Sequence, residues 1–165
     1  MILAETDPRQ TIKSIVDTHV AANPVKKDDG LVNASVASIW EGGPEALKYL
    51  FYVVDYDVVI TFGEPRSKSV REIQDVPVHF LMSYPITVTT VDKPLVGERV
   101  CTAVEMQYKV TWALRAAIAG SAQSGVGATP AYTLTLRSDA SVHKRVAGVD
   151  MWETSHVVEY QTDYA

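Results

Sequence analysis

Asp55 and Asp57 are the pair of residues whose spacing most readily suggests chemistry. They follow the apolar run of residues 51–54 with one residue between them. Alternate residues of a strand share a face, so a strand through this segment would point both carboxylates the same way. Carboxylate oxygens are the ligands that Mg²⁺ and Ca²⁺ prefer. One hypothesis is therefore a cation site in a small α+β enzyme or ligand-binding domain, with His79 or His156 as further candidates around a pocket under the second predicted helix. The alternative is a solvated acidic pair at the start of a strand.

Three other kinds of reactive pattern are weak. Residues 124–127 (Ser-Gly-Val-Gly) lack the Lys-Ser or Lys-Thr pair of a phosphate-binding loop, so a flexible loop is favoured. Cys101 has no histidine close in sequence to act as a base. The four histidines show no metal-ligand spacing. The sequence thus predicts no catalytic residue, cofactor or metal site, which favours a structural or interaction role.

Aromatic and basic residues suggest a binding surface instead. Tyr108 and Trp112 lie on a flank of a predicted helix, away from its apolar centre, and such residues often anchor protein interfaces. Contact with loops of the same domain is the alternative. A small basic group falls in a predicted loop that would reach a neighbouring molecule. We predict that a subunit or partner interface contains Arg66, Lys68, Arg71, Tyr108 and Trp112.

Composition limits the class of protein. A chain of 165 residues with 47% hydrophobic and 21% charged residues is typical of one globular domain. Its net charge of −5, with most Lys and Arg residues scattered, argues against a surface built to grip nucleic acid. A single cysteine excludes an intrachain disulfide. We find neither a signal-peptide pattern nor a long apolar span, so we expect a soluble protein without membrane contact.

The longest regular pattern runs through residues 78–88, where every second residue is apolar or aromatic. This pattern predicts one long strand with a single buried face. Pro77 and Pro85 are an even number of positions apart, so both missing N–H donors would fall on one side, which predicts an edge strand or a bulge at Pro85. Because a long edge must be covered or paired, we expect an oligomer.

Two helices are predicted on one face of this strand. The first covers residues 8–22 after a capping residue, Asp7. The second covers residues 97–119 and ends at a capping glycine, Gly120. The predicted fold is a single α+β domain over residues 1–165, with a mostly antiparallel sheet of four to five strands and two helices packed on one face. Further strands are predicted near 32–40, 53–62, 132–136 and 151–160, with polar loops at 66–75 and 139–148.

This order of parts resembles the tail terminator proteins of long-tailed phages and related archaeal viruses. The resemblance comprises the capped first helix, a strand ending in Ile-Thr-Phe-Gly-Glu-Pro at residues 60–65, a charged loop, the alternating strand, the long helix, and a final pair of strands ending in Val-Val-Glu-Tyr at residues 157–160. It spans most of the chain. No residue with a specific role is implied, because the family has no diagnostic motif.

The resemblance implies a structural virion protein that is assembled in the host cytoplasm. Such a protein forms a ring, usually of six subunits, that caps the tail tube and contacts the head-completion or neck proteins. DNA would pass through the lumen of the ring without specific binding, which an acidic chain suits. Another neck or tail-completion protein is the related alternative.

Overall fold

The computed structural model describes residues 8–27, 32–43, 53, 55–91, 102–124 and 134–163. The predictions for Asp7, Cys101 and most of the 124–127 loop lie outside these residues. In chain order, the helices and strands are α1 (Pro8–Ala22), β1 (Val36–Trp40), β2 (Val58–Phe62), β3 (Arg66–Ile73), β4 (Val76–Val91), α2 (Ala103–Ser124), β5 (Thr135–Ser138), β6 (Val142–Val146) and β7 (Val149–Asp163). The bounds of α1 confirm the first predicted helix.

β4 is the long strand that the alternating pattern predicts, but it is central rather than an edge. It pairs with β7 on one side and with β2 and β3 on the other. Gly63 N–H donates to Pro85 O (2.9 Å), so this side of Pro85 faces the connection between β2 and β3. The N–H and C=O of a strand residue point to the same neighbour. The position of the missing Pro85 N–H therefore faces the gap between the end of β2 and the start of β3, where no strand needs it as a donor. Because β4 has paired strands on both sides, the edge-strand prediction is wrong.

The described sheet has seven strands, more than the four or five predicted. The segments predicted as the polar loops 66–75 and 139–148 instead form antiparallel hairpins, β3–β4 and β6–β7. Their turns place Gln74, Asp75, Ala147 and Gly148 at positive φ, the pattern of tight hairpin turns. β1 and β2 are parallel, so the sheet is mixed. The sheet is open, with the order β1-β2-β4-β7-β5.

Both helices pack on one face of this sheet, as predicted. The main core combines Ile12 and Val16 of α1 with Val110 and Leu114 of α2 and inward residues of β2, β4 and β7. A smaller cluster lies on the other face, where Val53 and Met151 pack with β1. Most of the remaining helix-free face carries polar or charged residues.

The ends of α2 differ from the prediction. Thr102 precedes the helix and exchanges two hydrogen bonds with Glu105: Glu105 N–H donates to Thr102 Oγ1 (3.3 Å), and Thr102 N–H donates to Glu105 Oε2 (3.1 Å). This Thr-x-x-Glu capping box starts the helix at Ala103 rather than at residue 97. At the other end the helix continues through Gly120 to Ser124, so Gly120 is not its cap. None of the described helices is long and apolar enough to span a membrane.

Candidate functional site

The exposed flank of α2 carries two large aromatic side chains. Tyr108 and Trp112 are 68% and 67% exposed, whereas Val110 and Leu114 of the same helix are buried in the core. Residues four apart lie one turn above each other on a helix, so the two rings share one surface. The guanidinium carbon of Arg115 lies 5.6 Å from the centre of the Trp112 ring. Together these three residues form a surface that we call the aromatic flank.

A cavity of about 540 Å³ opens beside the aromatic flank, between α2 and the segment that joins β5 to β6. Ser138, Asp139 and Ser141 line the side opposite the helix, and Trp152 of β7 also contributes to the lining. The volume falls within the range of sites that hold small molecules. The aromatic flank is therefore the rim of a recess rather than a flat surface.

Gln107 joins α2 to the sheet below this cavity. Its Nε2 donates to the carbonyl oxygens of Val88 on β4 (3.0 Å) and Trp152 on β7 (2.8 Å). Thr90 adds a second polar link, because its Oγ1 donates to the carbonyl of Ala103 (2.8 Å). Gln107 Oε1 is buried and finds no partner among the described residues. These bonds fix where α2, and thus the aromatic flank, lies on the β4–β7 ladder.

His156 is fully buried in β7 behind the cavity. Its Nδ1 lies 2.8 Å from Ser138 Oγ, and its Nε2 has no partner among the residues that the structure describes. Its pKa is lowered from 6.5 to about 4, first by burial and then by the nearby charge of Arg115, while the charge of Asp139 acts in the opposite direction. The imidazole is therefore neutral at pH 7 and cannot serve there as a cationic anchor.

The predicted interface residues separate into two surfaces. Tyr108 and Trp112 lie together on the helix side of the sheet. Arg66 and Lys68 pair opposite Ser83 and Leu81, which alternate with core residues of β4, so both belong to the helix-free face. The aromatic pair and the basic residues thus lie on opposite faces of the sheet, and a partner that binds one face does not contact both groups.

Asp55 and Asp57 do not share the face of a strand. Asp55 is exposed and helical, and β2 begins only at Val58. Asp57 Oδ2 accepts hydrogen bonds from Ser35 N (2.9 Å) and Ser35 Oγ (3.0 Å) and lies 3.4 Å from Lys27 Nζ. Its carboxylate thus anchors the start of β1 to the start of β2. Within the described ranges, no three His, Cys, Asp or Glu side chains lie close enough to hold a metal ion.

Sequence reasoning missed Gln107 and named His156 only as a candidate beside a pocket under the second helix. Gln107 occupies a position on the apolar face of α2, where a polar residue signals a buried hydrogen bond, and His156 alternates with Thr154 and Val158 along a strand.

No known protein family has a model that matches this chain, and no curated protein matches it.

Proposed function

We propose that this protein is a structural virion protein that assembles into a ring of identical subunits, the tail terminator of a long-tailed virus. The ring, of six subunits in this proposal, caps the tail tube. It then offers its other side to a head-completion or neck protein. The α+β architecture with a long central strand and a long helix is compatible with this assignment.

The observation that carries the proposal is the exposure of Tyr108 and Trp112 beside a cavity. Aromatic side chains of this size gain most when a partner covers them, and interface anchors typically insert into pockets or border them. The two exposed aromatic side chains can insert into a neighbouring subunit, and the cavity beside them can accept a side chain from that subunit.

In a ring of more than two subunits, each contact is head-to-tail and joins two different surfaces of neighbouring subunits. The ring closes when the rotation from one subunit to the next adds up to a full turn. The aromatic flank supplies one surface in this proposal. DNA crosses the lumen without specific binding, and the net charge of −5 supports passage without strong attachment.

The first test is light scattering of the purified protein over a concentration series, followed by negative-stain imaging. We expect a species several times the 18.1 kDa of one chain, visible as a ring with a central hole. Trp112→Lys places a charge on the aromatic flank, where it would be desolvated in the assembled state. This variant should be monomeric and should keep the circular dichroism spectrum of the folded subunit, although its melting temperature should fall because assembly no longer stabilises it.

Val142→Lys is the matched control. Val142 is an exposed apolar residue of β6, 53% exposed, so its replacement adds the same charge at the surface without touching α2. This variant should assemble like the wild type. A Trp112→Lys protein that retains the wild-type mass would refute the aromatic flank as the interface, and a wild type that stays monomeric at every concentration would refute spontaneous ring assembly.

A further inference from the structure

Three cationic side chains form a line on the helix-free face of β3. Arg66 pairs with Ser83 and Lys68 with Leu81, so they point to one side. The register then shifts between Ser69 and Arg71, leaving Val70 as the extra residue of a bulge. Arg71 consequently pairs with His79 and joins the face of Arg66 and Lys68. Without the bulge, an odd-numbered residue would point to the opposite face.

These three cations lack the partners that the other cations have. Arg66, Lys68 and Arg71 are exposed, and no carboxylate, hydrogen-bond acceptor or aromatic ring contacts their charged groups among the described residues. Every other described Lys or Arg side chain is engaged. Ion pairs hold Arg9, Lys13, Lys27, Arg137, Lys144 and Arg145, hydrogen bonds hold Lys26 and Lys109, and Arg115 stacks on Trp112.

We propose that this line of cations, the β3 stripe, binds the phosphate backbone of nucleic acid. From Arg66 to Arg71 the stripe follows four residue steps of β4. This is roughly 14 Å at about 3.4 Å per step. One DNA strand carries about four phosphates over that axial length, at one per 3.4 Å. Because these phosphates also wind around the helix axis, the straight row of three unpaired cations contacts those that face it, at most one phosphate per cation.

The ligand is recognised by charge and spacing and not by sequence. Phosphate contacts of this kind position a nucleic acid but carry no base information. The overall charge of −5 opposes binding, so the contact is weak, confined to the stripe and sensitive to salt. Two carboxylates belong to this hairpin. Glu72 pairs with Pro77, which alternates with His79, so Glu72 follows Arg71 on the same face and marks the end of the stripe, where it further weakens the contact with phosphate. Asp75 lies in the turn. The stripe exists in each subunit and does not depend on ring assembly.

The test is a salt titration of the binding of a short fluorescein-labelled DNA duplex, followed by anisotropy. Three phosphate contacts predict a slope of about −2.7 for log K against log salt, or about 40-fold weaker binding at 200 mM than at 50 mM salt. The triple variant Arg66→Gln, Lys68→Gln, Arg71→Gln should lose at least about tenfold in affinity at 50 mM salt and nearly all of this slope.

Lys144→Gln with Arg145→Gln is the matched control, because these cations lie on the other hairpin and are already ion-paired with Glu153 and Asp150. This control should keep the wild-type slope. Equal loss of binding in both variants, or a wild type that does not bind DNA at 50 mM salt, would overturn the proposal. Binding of polyglutamate through the same three residues, without DNA binding, would overturn it in favour of an acidic protein partner. Light scattering shows whether the triple variant still assembles, so a loss of DNA binding can be distinguished from a failure of ring assembly.

Discussion

His156 is a buried side chain whose protonation the fold opposes. Its pKa is about 4 in the folded protein against 6.5 when exposed, mainly because burial removes its hydration. Between these two values the unfolded chain binds more protons than the folded one. The contribution of His156 to stability is therefore complete above about pH 6.5 and is lost as the pH falls toward 4.

We expect the free energy of unfolding to fall more steeply between pH 6.5 and pH 4 in the wild type than in His156→Asn. Asparagine keeps a polar atom near Ser138 but cannot titrate in this range. The difference should reach at most about 3 kcal/mol, because the pKa is about 4 in the folded protein and 6.5 in the unfolded chain. Urea unfolding at several pH values measures it.

Arg115→Gln provides an independent check of this assignment. The charge of Arg115 lowers the pKa of His156, so its removal should raise that pKa and reduce the loss of stability in acid. An NMR titration of the His156 ring in the wild type should have its midpoint near pH 4. A midpoint near 6.5, or equal pH dependence in wild type and His156→Asn, would contradict the assignment.

Single residues were predicted from the sequence only where a periodic pattern exposed them. Tyr108 and Trp112 could be found because they fall off the apolar stripe of a helix, which helical spacing alone reveals. The wall of the cavity that faces them comes from the β5–β6 connection, and no local pattern brings it to α2. Asp57 was misinterpreted for a related reason, since its partner Ser35 is distant in sequence and joins it only through the parallel pairing of β1 and β2.

At the scale of secondary-structure elements, the connection from β2 to β3 depends on Gly63. A Cβ atom at this position would lie 2.8 Å from Pro85 Cγ and 2.7 Å from Glu41 Oε2. The Glu41 carboxylate can rotate away, but the Pro85 ring is held in the middle of β4. Gly63→Ala should therefore destabilise the protein by about 1 to 3 kcal/mol, the usual cost of overpacking. The urea midpoint measures this cost.

Gly42→Ala is the control for this prediction. The nearest atom to a Cβ at Gly42 is Glu64 Oε1 at 3.6 Å, an ordinary contact. Because alanine also restricts the unfolded chain, this variant should be neutral or stabilised by up to about 1 kcal/mol. Equal midpoints for the two variants would show that the close approach of Gly63 to Pro85 does not constrain the connection.

Elements with one buried face were predictable, and those exposed on both faces were not. α1 and β4 alternate between core and solvent with the period of a helix or strand, so the pattern alone identified them. β3 is exposed along nearly all its length and β6 along all of it, and both are held by backbone hydrogen bonds to a long neighbour. Such strands need no apolar side chains. Their sequences consequently resemble polar loops, and the strand count was underestimated.

At the scale of the whole molecule, the β4–β7 ladder connects every part of the described sheet. β2 and β3 hydrogen-bond to β4, β5 and β6 hydrogen-bond to β7, and β1 is attached through β2. Both helices contribute to the main core that covers this ladder. We therefore expect a single cooperative unfolding transition, consistent with the prediction of one domain.

Calorimetry of a non-assembling variant such as Trp112→Lys provides the measurement. Its calorimetric and van't Hoff enthalpies should agree, and far-ultraviolet and near-ultraviolet circular dichroism should give one midpoint. Two resolved transitions would mean that one side of the sheet unfolds without the other. That result would refute the single-domain prediction.

The same ladder has a consequence for how fast the chain folds. Its paired residues are far apart in sequence, from Val91 with Met151 to His79 with Asp163. The hairpins β3–β4 and β6–β7 close through tight local turns, and hairpins of this kind form in about 1 to 10 μs. Joining one hairpin to the other requires the closure of a much longer loop, which makes folding slow. The encounter of two preformed hairpins along β4 and β7 should therefore set the folding rate of this protein.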